Sequence, residues 1–399
     1  MISLFGYGKT LQELSKKIAP CNIYDDKFKV ISIDAFGNTL FPSSYFNAEK
    51  SELEIISPGI PPYSHLAIKA RNLISEYDYF ASMPPSVWIS GTNGKTTTTQ
   101  MIYLLLKHLG VECGGNIGTP LCNLNLNATF WILETSSFML HYTNKAKPFI
   151  YALLPITQDH ISWHSTYKNY IDSKLKPLTL MNKNSIAIIP KEYASSHQAK
   201  SFRGKIYFYE DTFNLANSFN IKLELLKFKG AFLLDCVLSL CVAKIITDNI
   251  NYDLINSFKI DSHKIEEFID NKGRLFVDDS KATNISATLE AIKIYKNKKI
   301  FLILGGDNKG VSLESLVKEL KIYDIKVYAI GKCSEHIESL CDKYKINCKP
   351  CFELKNALSE INKEFIDGVC MLSPACASLD QFNSYKQRGD LFKLYAMAL

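Results

Sequence analysis

Short apolar runs recur along the chain, each followed by a loop rich in glycine, serine or lysine and then by a helical pattern. This alternation is typical of α/β folds, in which helices cover both faces of mostly parallel sheets. Residues 86–109 are the clearest example. Val87–Ile89 predicts a buried strand, and 90–94 predicts a loop with two glycines. Residues 95–109 then predict a helix that ends at Gly110.

The loop at 90–94 has the features of an anion site. Backbone N–H groups that precede a helix point toward one place, and the helix dipole adds positive potential there. Lys95 supplies a positive charge for phosphate, and the hydroxyl of Thr96 can ligate magnesium. A full P-loop pattern also has a glycine five positions before Gly94, where Ile89 stands. The sequence favours a phosphate site, and a plain turn with a helix cap stays open as the alternative.

Two further apolar runs end in polar side chains. The run 129–133 leads to Glu134, and the run 149–154 leads to Asp159 and His160. Ligands of open α/β sheets lie beyond the carboxyl ends of parallel strands, so we expect these side chains near the phosphate loop. Carboxylate oxygens suit magnesium. The alternative for a glutamate at such a position is a solvated loop residue.

Two helices are predicted downstream of these runs. Residues 167–181 predict a helix that carries Lys174, and 231–246 predict a strongly apolar helix of the core. On the helical pattern alone, Lys174 is read as a solvated surface lysine.

The first 80 residues predict a small α/β unit. Ile2–Phe5 predicts a strand before the turn Gly6–Gly8, and Asn22–Asp25 predicts a second strand that ends in an acid. This arrangement is half of a nucleotide-binding fingerprint, and a plain βα turn is the alternative. Residues 76–85 are expected to link this unit to the next.

The last 140 residues predict a doubly wound sheet. Four strands, each ending in a polar loop, alternate with helices. They are predicted at Arg274–Asp278, Lys299–Leu304, Lys326–Ile330 and Gly368–Leu372.

Composition narrows the class of protein. A chain of 399 residues implies two or three domains, and 47% hydrophobic residues is an ordinary globular value. The net charge of +6 comes from dispersed lysines, which argues against nucleic acid as a partner and suits an anionic substrate. No apolar run is long enough to span a bilayer and no signal peptide is expected, so we predict a cytoplasmic protein without membrane attachment. The 11 cysteines have no zinc-site spacing and are expected to be free thiols.

Eight motifs in sequence order resemble the Mur ligase family, whose P-loop is shared with folylpolyglutamate synthetases. They are Gly91–Thr97, Gly115–Gly118, Glu134–Phe138, Ile156–His160, Tyr170–Lys174, Asp279–Asn284, Leu304–Lys309 and Leu372–Phe382. The Asp279–Asn284 and 373–378 stretches are similar to the D-glutamate-adding branch in particular. Enzymes that add a diamino acid, and the folate enzymes, carry a histidine in the former stretch.

The resemblance implies a three-domain α/β ligase. Its domains would be a Rossmann-like, UDP-binding domain at 1–82, a P-loop, ATP-binding domain at 83–260, and a doubly wound, amino-acid-binding domain at 261–399. The implied reaction adds D-glutamate to UDP-N-acetylmuramoyl-L-alanine through an acyl phosphate in peptidoglycan synthesis. It would use ATP and two magnesium ions, and the active protein would be a monomer.

The resemblance also implies roles for individual residues. Lys95, His160 and Lys174 would be catalytic, with Thr96 and Glu134 at one magnesium ion and with His160 and a carbamate of Lys174 at the other. Residues expected to bind ATP are Gly91, Thr92, Asn93, Gly94, Lys95, Thr96, Thr97, Lys264, Asp279 and Lys281. Residues expected to bind the other substrates are Thr10 and Asp25 for UDP, Asn116 and Ser136 for the muramoyl part, and Thr283, Lys309, Ser378, Leu379 and Phe382 for D-glutamate.

The chain departs from the family pattern at several positions. Gly230–Cys236 lacks the histidine and two asparagines of the family, and the asparagines help to hold ATP. Met139 replaces a glutamine, Lys264 replaces an arginine, and Tyr385 replaces a phenylalanine. Two alternatives therefore stay open: another amide ligase of the same superfamily, and a nucleotide-binding module without catalysis.

Overall fold

The computed structural model describes residues 1–399, which divide into two compact units. One unit contains 1–156 and 163–258, and the other contains 157–162 and 259–399. Three six-stranded sheets, all mostly parallel, form the framework and confirm the predicted α/β class. The predicted domain boundaries at 82/83 and 260/261 remain predictions. None of the helices is both long and apolar enough to cross a bilayer.

The first unit begins with a sheet formed by residues between 2 and 75. Its strands are β1 Ile2–Phe5, β2 Asn22–Asp25, β3 Ser32–Ile33, β4 Thr39–Pro42, β5 Leu53–Ile56 and β6 Leu73–Ser75. Their order is β3-β4-β2-β1-β5-β6, and only the β3–β4 pair is antiparallel.

A second sheet of the same unit is parallel throughout. Its strands are β7 Ser86–Ser90, β8 Glu112–Gly115, β9 Trp131–Glu134, β10 Ile150–Leu153, β11 Ile186–Pro190 and β12 Lys205–Tyr209. In the order β12-β11-β10-β7-β9-β8, strand β7 lies between β9 and β10. The loops after β7, β9 and β10 therefore leave the same edge of the sheet.

Twelve helices lie between residues 9 and 256. They are α1 Lys9–Ile18, α2 His65–Lys69, α3 Glu76–Tyr79, α4 Lys95–Leu106, α5 Ser137–Tyr142, α6 Ile161–His164, α7 Tyr167–Leu175, α8 Pro177–Leu180, α9 His197–Ser201, α10 Thr212–Ser218, α11 Ala231–Thr247 and α12 Tyr252–Asn256. The apolar helix α11 packs along α4, where the Ser239 hydroxyl lies 3.3 Å from the Thr98 carbonyl oxygen.

The second unit is built on one six-stranded sheet whose strands alternate with helices along the chain. Its strands are β13 Glu266–Ile269, β14 Leu275–Asp278, β15 Ile300–Gly305, β16 Ile325–Ile330, β17 Asn347–Phe352 and β18 Val369–Leu372. Its helices are α13 Ile285–Ile294, α14 Glu314–Leu320, α15 Ser334–Tyr344, α16 Leu354–Asn362 and α17 Tyr385–Met397. The strand order is β13-β14-β18-β15-β16-β17, and only β13–β14 is antiparallel.

Two sequence-based expectations about elements differ from the structure, and some strands were not expected. The expected linker 76–85 begins with helix α3, whose Glu76 and Asp78 are buried. The helix expected at 167–181 is two helices, because Pro177 cannot continue α7 and instead starts α8. Strands β13 and β17 were not among the four strands predicted for the second unit, because most of their residues are half-exposed or exposed and form no apolar run.

Candidate active site

The predicted phosphate loop joins the central strand β7 to helix α4. Every residue of β7 is buried, and Gly91 and Gly94 have φ angles of 137° and 80°. A Cβ on Gly91 would lie 2.5 Å from Cβ of Leu154, so only glycine fits there. Lys95 begins α4 and donates from Nζ to the Thr92 carbonyl at 2.8 Å. The strand, loop and helix are confirmed, and the loop's N–H groups precede the amino end of a 12-residue helix.

Glu134 lies beside the amino end of α4. It ends β9 with 2% of its surface exposed, so it is not a solvated loop residue. Its carboxylate accepts hydrogen bonds from the Thr96 hydroxyl at 2.8 Å and from the Asn116 amide at 2.7 Å. A hydroxyl and a carboxylate side by side are hard oxygen donors of the kind that magnesium prefers. The donor set therefore fits the magnesium site predicted for Thr96 and Glu134.

Lys174 is buried behind the phosphate loop. Only 1% of its surface is exposed, so the alternative of a solvated helix lysine is wrong. Its Nζ donates to the Gly91 carbonyl at 2.7 Å and lies 4.8 Å from the ring centre of Tyr170. The Tyr170 hydroxyl is 3.0 Å from the Thr92 hydroxyl. Helix α7 therefore contacts the phosphate loop through two side chains.

His160 belongs to the segment 157–162, which packs with the second unit. It has a positive φ of 54°, and its Nε2 lies 3.6 Å from the Asp159 carboxylate. Asp159 also pairs with Lys309 at 3.3 Å. A small cavity beside this ion pair is lined by Asp159, Thr283 and Lys309, so two of the residues predicted to bind D-glutamate are together.

The loop after β18 is connected to the loop that carries Lys309. Backbone groups of Asp307 and Ala377 exchange two hydrogen bonds of 3.0 and 2.8 Å. This bridge brings buried Ser378 to the Lys309 loop. Leu379, in contrast, is 73% exposed, and Phe382 packs against the apolar core of this unit.

The residues of the second unit predicted to bind ATP surround the segment 263–265. Asp279 is buried and accepts hydrogen bonds from the Ser373 hydroxyl at 2.7 Å and from Ile265 N–H at 3.3 Å. Burial raises the pKa of its carboxyl group to about 8. Lys281 N–H donates to the His263 carbonyl at 3.1 Å, and Lys264 Nζ pairs with Asp261 at 3.0 Å. Lys264, Asp279 and Lys281 are therefore neighbours in the fold.

Comparisons with known proteins identify the family. Residues 89–232 match the Mur ligase middle domain. The UDP-N-acetylmuramoylalanine–D-glutamate ligase of Campylobacter jejuni (strain RM1221) is 49% identical over 398 residues, which cover 98% of both chains. The ligase of that name from Helicobacter pylori (strain J99) is 45% identical over 99% of both chains. This chain belongs to the UDP-N-acetylmuramoylalanine–D-glutamate ligase family. It is therefore a ligase enzyme of peptidoglycan synthesis.

The fold is also similar to that of a solved Mur ligase. The MurF ligase of Thermotoga maritima, crystallised in complex with ADP, superposes with a TM-score of 0.58 over 87% of this chain and 88% of that chain. The two sequences are 18% identical, so this likeness concerns the fold alone.

The residues predicted to bind UDP in this ligase lie at the first βα turn. Asp25 ends β2, and its carboxylate accepts hydrogen bonds from Tyr7 N–H at 2.6 Å and from Lys27 N–H at 2.8 Å. Thr10 lies in the first turn of α1. Ser136 follows strand β9 of the second sheet in the same unit, and it caps α5 by accepting from Met139 N–H at 3.2 Å. The Met139 side chain is buried in the apolar core, an environment that suits methionine better than the glutamine that it replaces.

Two residues of the ligase were missed by reasoning from the sequence. Asp235, in the segment that lacks the family asparagines, is buried on α11, and a Cβ on Gly94 would lie 2.2 Å from its Oδ1. Buried Arg388 on α17 donates to Ser280 O at 2.8 Å and to Cys376 O at 3.1 Å, so it ties two site loops together. The one signal for Asp235 that the sequence offered was its position as the single acidic residue inside the apolar run 231–246.

Proposed function

We propose that this chain forms an amide bond between D-glutamate and the carboxylate of UDP-N-acetylmuramoyl-L-alanine, with conversion of ATP to ADP and phosphate. The observation that carries the proposal is the near-50% identity to ligases of that name over almost the whole chain. The arrangement of Lys95, Thr96 and Glu134 at the amino end of α4 supports ATP as the phosphoryl donor.

The proposed chemistry follows from the poor reactivity of a carboxylate toward an amine. Transfer of the γ-phosphoryl group of ATP to the carboxylate gives an acyl phosphate and ADP. The neutral amine of D-glutamate then attacks the acyl carbon, a tetrahedral intermediate forms, and phosphate leaves as the amide is completed. The first step brings two anions together, so positive charge must screen them. Lys95 and the loop N–H groups serve this purpose in the proposal.

Magnesium, when bound, would screen the phosphate charges and polarise the transferred group. Thr96 and Glu134 would hold one ion, because their oxygens already lie 2.8 Å apart. His160 and Lys174 would serve the second ion. As an ammonium group, Lys174 would repel a cation. Addition of its neutral amine to carbon dioxide, with release of a proton, would form a carbamate, an anion that offers two hard oxygen ligands.

Recognition of D-glutamate would come from the second unit. Thr283 and Lys309 line one cavity, and Ser378 is connected to the Lys309 loop through the Asp307–Ala377 bridge. Two carboxylates held at separate points would fix the stereocentre, so L-glutamate should be a poor substrate. Lys309 would form charge-assisted hydrogen bonds to a carboxylate of D-glutamate, in competition with its ion pair to Asp159.

The test is a phosphate-release assay with UDP-N-acetylmuramoyl-L-alanine, ATP, magnesium and D-glutamate. We expect release only when all four are present, and much slower release with L-glutamate. Release with L-glutamate at the same rate would contradict the proposed carboxylate sites. A preference for a different amino acid would favour another amide ligase of the superfamily. No ATP turnover with any amino acid would favour a nucleotide-binding module without catalysis.

A further inference from the structure

Helix α3, in the segment that was expected to be a linker, places three successive side chains against the second sheet and its loops. Glu76 accepts a hydrogen bond from Leu121 N–H at 3.1 Å, and the Tyr77 hydroxyl donates to the Glu134 carbonyl oxygen at 3.2 Å. Asp78 accepts three backbone N–H bonds from the loop after α5. Tyr77 is thus the residue of α3 that contacts the candidate magnesium site.

The backbone of Glu134 is held by hydrogen bonds on both sides of one peptide bond. Besides the Tyr77 hydroxyl, its carbonyl oxygen accepts from Asn116 N–H at 2.9 Å. Asn116 Nδ2 also donates to the carboxylate of the same glutamate at 2.7 Å. The next N–H, that of Thr135, donates to the Ile89 carbonyl of β7 at 2.8 Å. Contacts with β7, with the loop after β8 and with α3 therefore fix the end of β9.

Tyr77 is fully enclosed at this junction. Only 1% of its surface is exposed, and its ring lies edge-on to Trp88, with 4.9 Å between the ring centres. A Cβ on Gly115 would lie 2.8 Å from the Tyr77 hydroxyl oxygen, so the hydroxyl also contacts the residue before Asn116. Burial raises the pKa of the phenol well above its ordinary value, and the charges of nearby carboxylates act in the same direction. The hydroxyl therefore stays protonated and able to donate.

We propose that Tyr77 is a positioning residue, whose hydroxyl fixes Glu134 and Asn116 in the geometry that binds magnesium and the muramoyl substrate. This inference rests on the proposed function, in which Glu134 is a magnesium ligand and Asn116 binds the muramoyl part. Tyr77 acts through the Glu134 backbone and through Gly115, and not by its own contact with a ligand. Helix α3 thereby connects the UDP-binding sheet to the residues that hold the metal.

The Tyr77→Phe variant isolates the contribution of the hydroxyl. The ring should keep its contact with Trp88, and the Glu134 carbonyl should keep its bond from Asn116 N–H, so the variant should fold. The second donor to the carbonyl and the contact with Gly115 are lost. The Glu134 carboxylate and the Asn116 amide are then less firmly held.

Isothermal titration calorimetry with ADP, once with magnesium and once with EDTA, tests the metal site apart from turnover. Removal of an outer partner of a metal ligand commonly lowers metal affinity by about 10–100-fold, and Tyr77 acts one step further out. We expect Tyr77→Phe to weaken ADP binding about three- to tenfold with magnesium and to leave it unchanged with EDTA. Equal affinities of wild type and Tyr77→Phe with magnesium, or the same loss in EDTA, would overturn the proposal.

Tyr79→Phe is the matched control for these titrations. Tyr79 lies on the same helix and is half-buried, and its hydroxyl makes no hydrogen bond within the protein. This variant should bind ADP as the wild type does under both conditions. A loss equal to that of Tyr77→Phe would show that any change in α3 weakens the site, which would contradict a specific role of the Tyr77 hydroxyl.

Steady-state kinetics of the same variants test the muramoyl side of the site. Tyr77→Phe should raise the KM for UDP-N-acetylmuramoyl-L-alanine several-fold. The KM for D-glutamate should stay unchanged, since the residues proposed for that substrate belong to the second unit. Equal rises in the two KM values would indicate a general defect and would contradict the positioning role.

A double-variant cycle tests whether the hydroxyl acts through Asn116. In an Asn116→Ala background, Tyr77→Phe should have a smaller effect on ADP affinity with magnesium, because the amide that it positions is already absent. Full additivity would contradict the proposal. An inactive wild type that still shows the magnesium-dependent difference from Tyr77→Phe would refute the proposed function alone. An active wild type that equals Tyr77→Phe in every titration would refute the positioning role alone.

Discussion

Glu76 is a carboxyl group buried at the start of α3, where one oxygen accepts a hydrogen bond from Leu121 N–H at 3.1 Å. Burial raises its pKa from 4.5 to about 8, despite the opposing hydrogen bonds. The native state therefore holds this proton more tightly than the unfolded state does. The contribution of this proton to the free energy of unfolding is complete below about pH 4.5, and it is lost as the pH rises toward about 8. At pH 7 the loss is on the order of 3 kcal/mol.

We predict that Glu76→Gln makes the first unit more stable at pH 8, with an advantage that shrinks toward pH 5. Glutamine keeps an acceptor for Leu121 N–H and has no proton to lose. Urea unfolding followed by tryptophan fluorescence measures this unit, because Trp88, Trp131 and Trp163 all lie in it. As a control, Asp78→Asn should destabilise at both pH values, since the Asp78 carboxylate accepts three backbone N–H bonds. Parallel pH profiles for wild type and Glu76→Gln would contradict the raised pKa.

The second prediction at the level of single residues concerns the role of Lys174. We expect Lys174→Ala to lose most ligase activity and to remain folded, and acetate to restore part of the activity by replacing the proposed carbamate. Lys168→Ala on the same helix is the control, because Lys168 is 84% exposed and should tolerate the change. A role limited to the hydrogen bond with Gly91 would give no acetate rescue. Full activity of Lys174→Ala without any additive would exclude the carbamate role.

Among the elements, those built from continuous apolar runs were predictable from the sequence. Strand β7, the glycine turn and helix α4 were expected where the structure has them, since a buried parallel strand and a following glycine leave a strong local signal. Strand β13 gave no such signal, because it pairs antiparallel with β14 and carries exposed residues. Its position depends on a partner strand and not on its own pattern.

In the candidate site as well, features of single elements were predictable from the sequence, whereas contacts between distant elements were not. Glu134 at the end of β9 was predicted from the local pattern, and the resemblance supplied Asn116. The hydrogen bonds that join Glu134 to Thr96 and Asn116 connect elements 38 and 18 residues apart, and no local pattern encodes such distances. The contact of Asp235 with the phosphate loop was missed for the same reason.

The packing of α11 against the phosphate loop gives a prediction at the level of elements. Gly94 has a φ of 80°, and an added Cβ would lie 2.2 Å from Asp235 Oδ1. We expect Gly94→Ala to weaken ADP binding about tenfold or more, because left-handed strain and overpacking each cost on the order of 1–2 kcal/mol. Isothermal titration calorimetry with magnesium and ADP measures the change.

Two variants separate strain from packing at Gly94. Gly118→Ala is the matched control, because Gly118 has a φ of 61° and no heavy atom within 4 Å of the added Cβ. Its effect on ADP affinity should be small. Removal of the obstructing carboxylate in Gly94→Ala/Asp235→Ala should recover part of the lost affinity. A double variant no better than Gly94→Ala would show that Asp235 does not restrict the loop.

At the scale of the whole molecule, the predicted substrate residues are divided unequally between the two compact units. Those for the UDP-muramoyl substrate all belong to the first unit, whereas those for ATP belong to both. The first set is Thr10, Asp25, Asn116 and Ser136. The second set is 91–97 in the first unit with Lys264, Asp279 and Lys281 in the second. Each ligand should therefore protect a different set of backbone amides.

Hydrogen-exchange mass spectrometry tests this division, because bound ligand slows local opening of the segments that it contacts. We predict that magnesium and ADP protect both 91–97 and 279–284, and that UDP-N-acetylmuramoyl-L-alanine alone protects segments of the first unit only. Peptides from α16 should exchange equally in all samples, since no predicted site residue lies on that helix. Nucleotide protection confined to 91–97 would remove Lys264, Asp279 and Lys281 from the ATP site. Equal protection of 279–284 by the UDP substrate would instead assign that loop to a different ligand.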